Sequence, residues 1–215
     1  TPRTAGAEWI ATFIATGGVI IDNTGEITLN GAKQLGNNTN VPLNIKTGAS
    51  LNTSASNFGL TFHGNFIKAG TLTAGSSAIT IAGTVAAHSI AGFTTTGSVL
   101  MTKTAGTATL TGVVTGNGWT INGVGGILNL GTAFTHSANT LMLGATGQPN
   151  GTHGGTTSGA TYINATYFAA ATGIINVTNF SCTAGTWLGY ISTDWFNANN
   201  WCGGLPTAAT NIIIP

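Results

Sequence analysis

Glu8, Asp22, Glu26 and Asp194 are the whole acidic complement of this 215-residue chain. Polysaccharide hydrolases and lyases built on β-solenoids use acidic side chains to hold Ca²⁺ or to act as an acid–base pair. Asp22 and Glu26 stand close in sequence, but no further carboxylate accompanies them, and the plainer reading is polar decoration at an exposed strand end. The histidines are His63, His88, His136 and His153. None falls in an HxH or HExxH spacing, and no acid or Cys accompanies them. They read as surface or corner residues, with His153 exposed in a Gly-rich loop. Ser and Thr abound without a GxSxG elbow or a Ser/His/Asp set. The stretches "GVGG" (123–126) and "GTHGG" (151–155) lack the GK[ST] ending and following helix of a phosphate loop. The expectation is therefore no catalytic residue, no cofactor, no metal site and no enzyme.

Cys182 and Cys202 are the only cysteines. Their spacing fits no CxxC zinc or redox motif. Flanking a Trp-rich segment in an otherwise Cys-free chain, they suggest one disulfide formed in an oxidising compartment. Closing a loop of about 20 residues would stabilise by roughly 3 kcal/mol on the chain-entropy account. Two unpaired buried thiols are the alternative.

The elements that must carry these residues are strands. Good helix formers are scarce and Gly and Thr abundant. Short alternating runs end at Gly or Asn: "EITLNG" (26–31), "PLNIKTG" (42–48), "GLTFHG" (59–64), "AITIAG" (78–83), "ATLTG" (108–112), "GWTING" (118–123) and "GILNLG" (126–131). Period-2 alternation closed by such residues is the strand-and-turn pattern. Comparable apolar positions recur at Ile27, Leu43, Leu60, Ile79, Val99, Trp119 and Leu141, and a second series runs Leu51, Leu72, Ile90, Leu110, Leu128. The drifting period of about 20 residues predicts an all-β fold, a parallel β-helix-like solenoid in which each coil buries its inward face on the next. Seven coils at about 4.8 Å would make a rod of about 34 Å. A β-sandwich, with short strands every 8 to 12 residues or so, is the alternative.

Segment 144–160, "GATGQPNGTHGGTTSGA", has no apolar side chain larger than Ala and reads as a loop or protrusion. Segment 161–180 returns to strand character, as a last coil or a cap over exposed strand edges. Thr-x-Thr triplets occur at 71–73, 94–96, 102–104, 107–109 and 109–111, but not once per coil, as a flat ice-binding rank would require. Sequons at Asn37, Asn52, Asn150, Asn164, Asn176 and Asn179 are near the number composition alone would give.

Charged residues make up 4% of the chain, with net charge +1, against about 25% in an ordinary domain. Without clustered Lys/Arg there is no counterion-release footprint for nucleic acid. The hydrophobic fraction is 42%, which argues against disorder. No uninterrupted apolar run is long enough for a membrane span. "TPRTAGAEW" carries no initiator Met or signal sequence and reads as the interior of a longer precursor.

The tail, "CTAGTWLGYISTDWFNANNWCGGLPTAATNIIIP" (182–215), resembles a segment repeated in large secreted surface proteins of Bacteroidota. There a Cys, a "GTW.G..STDW....NWC.G..P...T...IP" stretch and a new strand mark junctions between β-rich units. The matching positions are Cys182, Trp187, Gly189, Asp194, Trp195, Asn200, Trp201, Cys202, Gly204, Pro206 and Thr210, followed by "NIIIP". The Gly/Thr-rich stretch 97–131 is similar to the strand repeats of the same proteins. The resemblance is to gliding-motility adhesins of the SprB type and other cargo of the type 9 secretion system. It implies an extracellular or cell-surface adhesin module, and it supplies no catalytic residue.

On this reading, residues 1–180 form the solenoid. Residues 181–215 form a Trp-rich, disulfide-closed junction and the first strand of a following module. Trp187, Trp195 and Trp201 supply buried area in a segment too short for its own core. Asp194 turns "STDW" through backbone N–H groups, and Pro206 opens a turn before the strand. Stacking of the Trp faces on sugar rings is the alternative use. The expected role is a stiff spacer of a surface protein or filament. Its partners would be neighbouring modules of the same long chain, polysaccharide or solid surfaces, and the type 9 secretion machinery during export. A carbohydrate-active β-helix enzyme and an ice- or surface-binding solenoid are the alternatives.

Overall fold

A computed structural model describes residues 1–122, 125–180 and 182–214. Gly123 and Val124 of "GVGG", and Ser181 and Pro215 at the limits of the junction, lie outside the described residues. Among the described residues the chain is all-β, with one 3-10 turn at Ala198–Asn200.

The alternating runs become strands, most of them three to five residues long, that wind through three faces in turn. The first face stacks Arg3–Thr4, Glu26–Thr28, Ser50–Asn52 and Thr71–Thr73 in parallel. The second stacks Thr12–Phe13, Lys33–Leu35, Leu60–Phe62, Ile79–Ile81 and Ser98–Met101. The third stacks six strands from Val19–Ile21 to Gly126–Asn129. From the sixth turn the first two faces merge, because Val114–Ile121 and Thr135–Leu143 run continuously across their shared corner. The result is a β-solenoid of about six complete turns, where the sequence suggested seven.

Each turn buries its inward side chains against the turns above and below. On the second face Leu60, Ile79, Val99, Trp119 and Leu141 stack in one column, as the spacing predicts. Leu35, Phe62, Ile81, Met101, Ile121 and Leu143 form the column beside it. Ile27 and Leu43 do not join the first column. Ile27 stacks on Leu51 and Leu72 in the first face, and Leu43 on Phe66 in the third. The early turns are longer, with stacked residues about 24 apart rather than 20. Asn38 and Asn57, both at positive φ, turn the chain within these longer coils.

The seventh turn is interrupted and becomes a cap. Segment 144–160 is not simply a loop. Thr146–Gly147 folds back antiparallel on Met142–Leu143, and Gly151–Gly154 pairs antiparallel with Ile174–Val177. Tyr162–Ile163 then adds to His153–Gly154. Backbone pairing explains how strands form without large apolar side chains. Phe168 resumes the third face by bridging Leu128, and Ile174–Val177 lies parallel on Thr135–Ala138. The edge of the last rung is thus covered by an antiparallel strand.

Candidate functional site

The C-terminal segment folds around a cross-link. Cys182 and Cys202 are disulfide-bonded, with Cα atoms 6.0 Å apart. Trp187 stacks on Trp195 at 5.3 Å between ring centroids, and Trp201 meets both edge-on at 4.9 and 4.5 Å. The Trp201 indole N–H donates to the Trp195 carbonyl at 2.8 Å, which fixes the ring's polar edge. Trp201 is buried, whereas Trp195 is 40% and Phe196 78% exposed. Asp194 accepts from the Phe196 N–H at 3.0 Å, the turn its position in "STDW" predicts.

Asn200 is the residue on which this clasp turns, and residue type alone did not single it out from the matched motif. Its side chain is fully buried. Its Oδ1 accepts from the N–H groups of Ile191 and Ser192, and its Nδ2 donates to the Ser192 hydroxyl and the Asp194 carbonyl. One amide thereby closes the loop 191–194. Pro206 leads into the Thr207–Thr210 turn. Ile213 then pairs in parallel with Thr186, its N–H donating to Gly185 and its carbonyl accepting from Trp187. Ile213 is therefore tied to the clasp itself by a single bridge, and Ile212, Ile213 and Ile214 are all exposed.

The histidines are not surface residues: all four are buried, His153 included. His88 and His136 occupy inward positions of strands Ala87–Ile90 and Thr135–Leu143, where alternation places a side chain in the core. His136 accepts from the Val114 N–H at 3.0 Å through Nδ1 and bonds the Leu130 carbonyl at 2.9 Å through Nε2. His153 bonds the Pro149 carbonyl at 2.8 Å and stacks on Tyr162 at 4.7 Å. His63 accepts from the Asn38 N–H at 3.0 Å. Gly83 backs His63 at φ 90°, where a Cβ would come within 2.6 Å of the ring nitrogen. Burial lowers the pKa of each histidine, and that of His88 falls to about 4. The ammonium of Lys103 adds to the effect at His63 and His88.

Lys33 and Lys103 are buried as well. The Lys33 ammonium donates to the Trp9 carbonyl and that of Lys103 to the Val85 carbonyl, each reaching the neighbouring turn. Desolvation lowers the Lys103 pKa. Each ammonium is thereby held by a bond to an adjacent turn.

The carboxylates divide between the two ends. Glu8 and Asp22 line one cleft at the first turn with Arg3, while Asp194 sits in the C-terminal clasp. Among the described residues no three His, Cys, Asp or Glu side chains group as metal ligands. Outward hydroxyl columns are mixed rather than pure Thr. Thr4, Thr28, Asn52 and Thr73 line up on the first face, and Gln34, Thr61, Thr80, Leu100, Thr120 and Met142 on the second. No described helix is long and apolar enough to cross a membrane.

Comparison with family models, with curated proteins and with solved structures finds no match. The distinctive parts of the structure are a six-turn parallel stack, a capped last rung and a cross-linked aromatic clasp.

Proposed function

We propose that the chain is a structural and adhesive module of a long extracellular bacterial surface protein. The carrying observation is a six-turn parallel stack carried on the same chain as a disulfide-closed Trp clasp. Pulling along the rod loads hydrogen bonds between successive turns on its stacked faces together, which suits a stiff spacer. The clasp suits a site outside the reducing cytosol. Its Trp and Cys pattern is the one that resembles junctions in gliding-motility adhesins and other type 9 secretion cargo. The hydroxyl and amide columns offer an almost uncharged surface to polysaccharide, solid surfaces or neighbouring modules.

Localisation tests the reading directly. Antibodies raised against the folded module should label intact cells of the source bacterium, and brief surface proteolysis should remove the signal. Labelling that requires permeabilised cells would overturn the proposal.

A further inference from the structure

The ladder of the first face is interrupted part-way along the rod. Its four-stranded sheet ends at Thr71–Thr73, and Phe93–Thr94 on the following turn pairs with Val114–Thr115 instead. Across the same two turns the second face stays closed, with Ile79–Ile81 paired to Ser98–Met101. The opening is bounded at both ends by backbone bonds. Ala91 N–H donates to the Phe66 carbonyl at 2.9 Å, and Thr96 N–H to the Gly75 carbonyl at 2.8 Å. Between these bonds the lip 67–74 has twice the length of the lip 92–95. Gly92 holds the shorter lip back, packed so closely on the Gly112–Val113 backbone that a Cβ would clash. The result is a window in the side of the rod, with paired turns before and after it. It forms a cleft of about 620 Å³ lined by Lys68, Leu72, Phe93, Thr94 and Val113 among others. Its size is within the usual range for small-ligand sites.

The strand edges facing this window are unpaired. Thr71 N–H donates to the Ala49 carbonyl and the Thr73 carbonyl accepts from Thr53 N–H, both on the preceding turn. Alternation along the strand turns the N–H and C=O of Leu72 the other way, into the window. Thr95 N–H donates to the Thr115 carbonyl on the following turn, so the N–H and C=O of Thr94 face the window from the opposite lip. Among the described residues neither pair has a hydrogen-bond partner. Lys68 adds a charge. It stacks on buried Ile45, an inward position of the kind Lys33 and Lys103 also hold. Those two ammonium groups donate to carbonyls of neighbouring turns, whereas that of half-buried Lys68 has no partner among the described residues. No carboxylate lines the window.

We propose that the window receives the free C-terminal end of an extended peptide from a partner protein. A peptide backbone matches an N–H and a C=O presented together on a strand edge. Because the window is closed at both ends, a strand cannot run through it along the lips, but a chain terminus can enter from outside. The Lys68 ammonium selects the carboxylate end over the amino end. Buried Leu72 and Phe93, with exposed Ile67 and Val113 beside them, select an aliphatic last side chain. A neutral sugar would leave the ammonium unpaired, and a cation would face it. The inference adds a partner class to the surface-module reading and stands on separate observations. Failure of peptide binding would remove this site and leave the spacer role, whereas failure of surface labelling would remove the latter alone.

The test is a ¹⁵N-resolved titration of the whole chain with N-acetylated tetrapeptides ending in valine, leucine or isoleucine. Each is added as the free acid and as the C-terminal amide, to about 10 mM, enough to saturate a millimolar site. At least one free acid should shift the Leu72 and Thr94 amide resonances saturably. It should bind roughly tenfold tighter than its amide, the share of one charge-assisted hydrogen bond. Lys68→Gln should abolish that difference by weakening the acid alone, whereas mere loosening of the window would weaken acid and amide together. Val113→Asp, at an exposed position, should weaken the acid through like charge and remains informative should Lys68→Gln unfold. No saturable shift with any free acid, equal affinity of acid and amide, or an acid preference that survives in folded Lys68→Gln would overturn the proposal. Glucuronate binding as tightly as the best peptide would also overturn it and make the window a site for acidic sugars.

Discussion

At the residue scale the interior histidines decide how the protein responds to acid. Each is bonded as a neutral ring. His63 and His136 use a ring nitrogen as the acceptor of a backbone N–H, so protonation there displaces a bond as well as burying a charge. Their folded pKa values lie below the usual 6.5. Groups of this kind bind more protons unfolded than folded, so stability is complete above the unfolded pKa and falls as pH drops through the window below it. For His88 that window runs from 6.5 down to about 4. At about 1.4 kcal/mol per pKa unit, His88 alone would cost on the order of 3 kcal/mol across it. Denaturant melts at stepped pH should show stability declining from about pH 6.5, and His88→Gln should flatten the slope. A flat profile between pH 7 and 4.5 would contradict this account.

At the element scale, the strands were legible because each short alternating run stops at Gly or Asn, and inward positions repeat at every second residue. The same rule held the missed information. Counting back by two from Ile90 reaches His88, from Ala138 reaches His136, from Met101 forward reaches Lys103, and from Leu35 back reaches Lys33; all are buried. Polarity alone argued the histidines outward, but neighbouring turns supply carbonyls and N–H groups to them and to the two ammonium groups, the Nε2 of His88 excepted. The early register was illegible because longer corners through Asn38 and Asn57 add residues that carry no apolar signal. The cap strands in 144–160 were illegible for a similar reason, since they are held by backbone pairing rather than by side chains. In the clasp, the Cys and Trp positions were readable, while the centrality of Asn200 depends on four bonds that converge only in three dimensions. Asn200→Ala should leave the Ile191 and Ser192 N–H groups without their acceptor and destabilise the clasp by about 2 kcal/mol. Reduction of Cys182–Cys202 should cost a comparable amount, roughly 3 kcal/mol. Tryptophan emission during urea unfolding reads both, because three of the chain's five Trp residues lie in the clasp. An unchanged midpoint in Asn200→Ala would mean that the disulfide alone holds the loop.

At the scale of the whole molecule, a parallel stack has no natural end. Every rung presents unpaired N–H and C=O groups to whatever lies beyond it, and an exposed edge templates association. Here the strand Gly151–Gly154 runs antiparallel along Ile174–Val177 and takes up that edge. Beyond it only the two-residue strand Tyr162–Ile163 adds, on His153–Gly154, so the stack closes on a short edge rather than on a full rung. The Gly-rich composition of 144–160 then has a physical role: Ser158 and the Ala169 backbone crowd Gly154 and Gly155, where a Cβ would clash. Replacing residues 145–164 with a flexible Gly/Ser linker should keep Phe168 bridged to Leu128, and so keep the six turns, while opening the Ile174–Val177 edge. Circular dichroism should retain the β signal of the rod. Light scattering should show more concentration-dependent association than in the intact chain, with Asn176→Lys on the opened strand reversing the increase through charge repulsion. A linker variant that associates no more than the intact chain would show that the edge is guarded by something other than Gly151–Gly154.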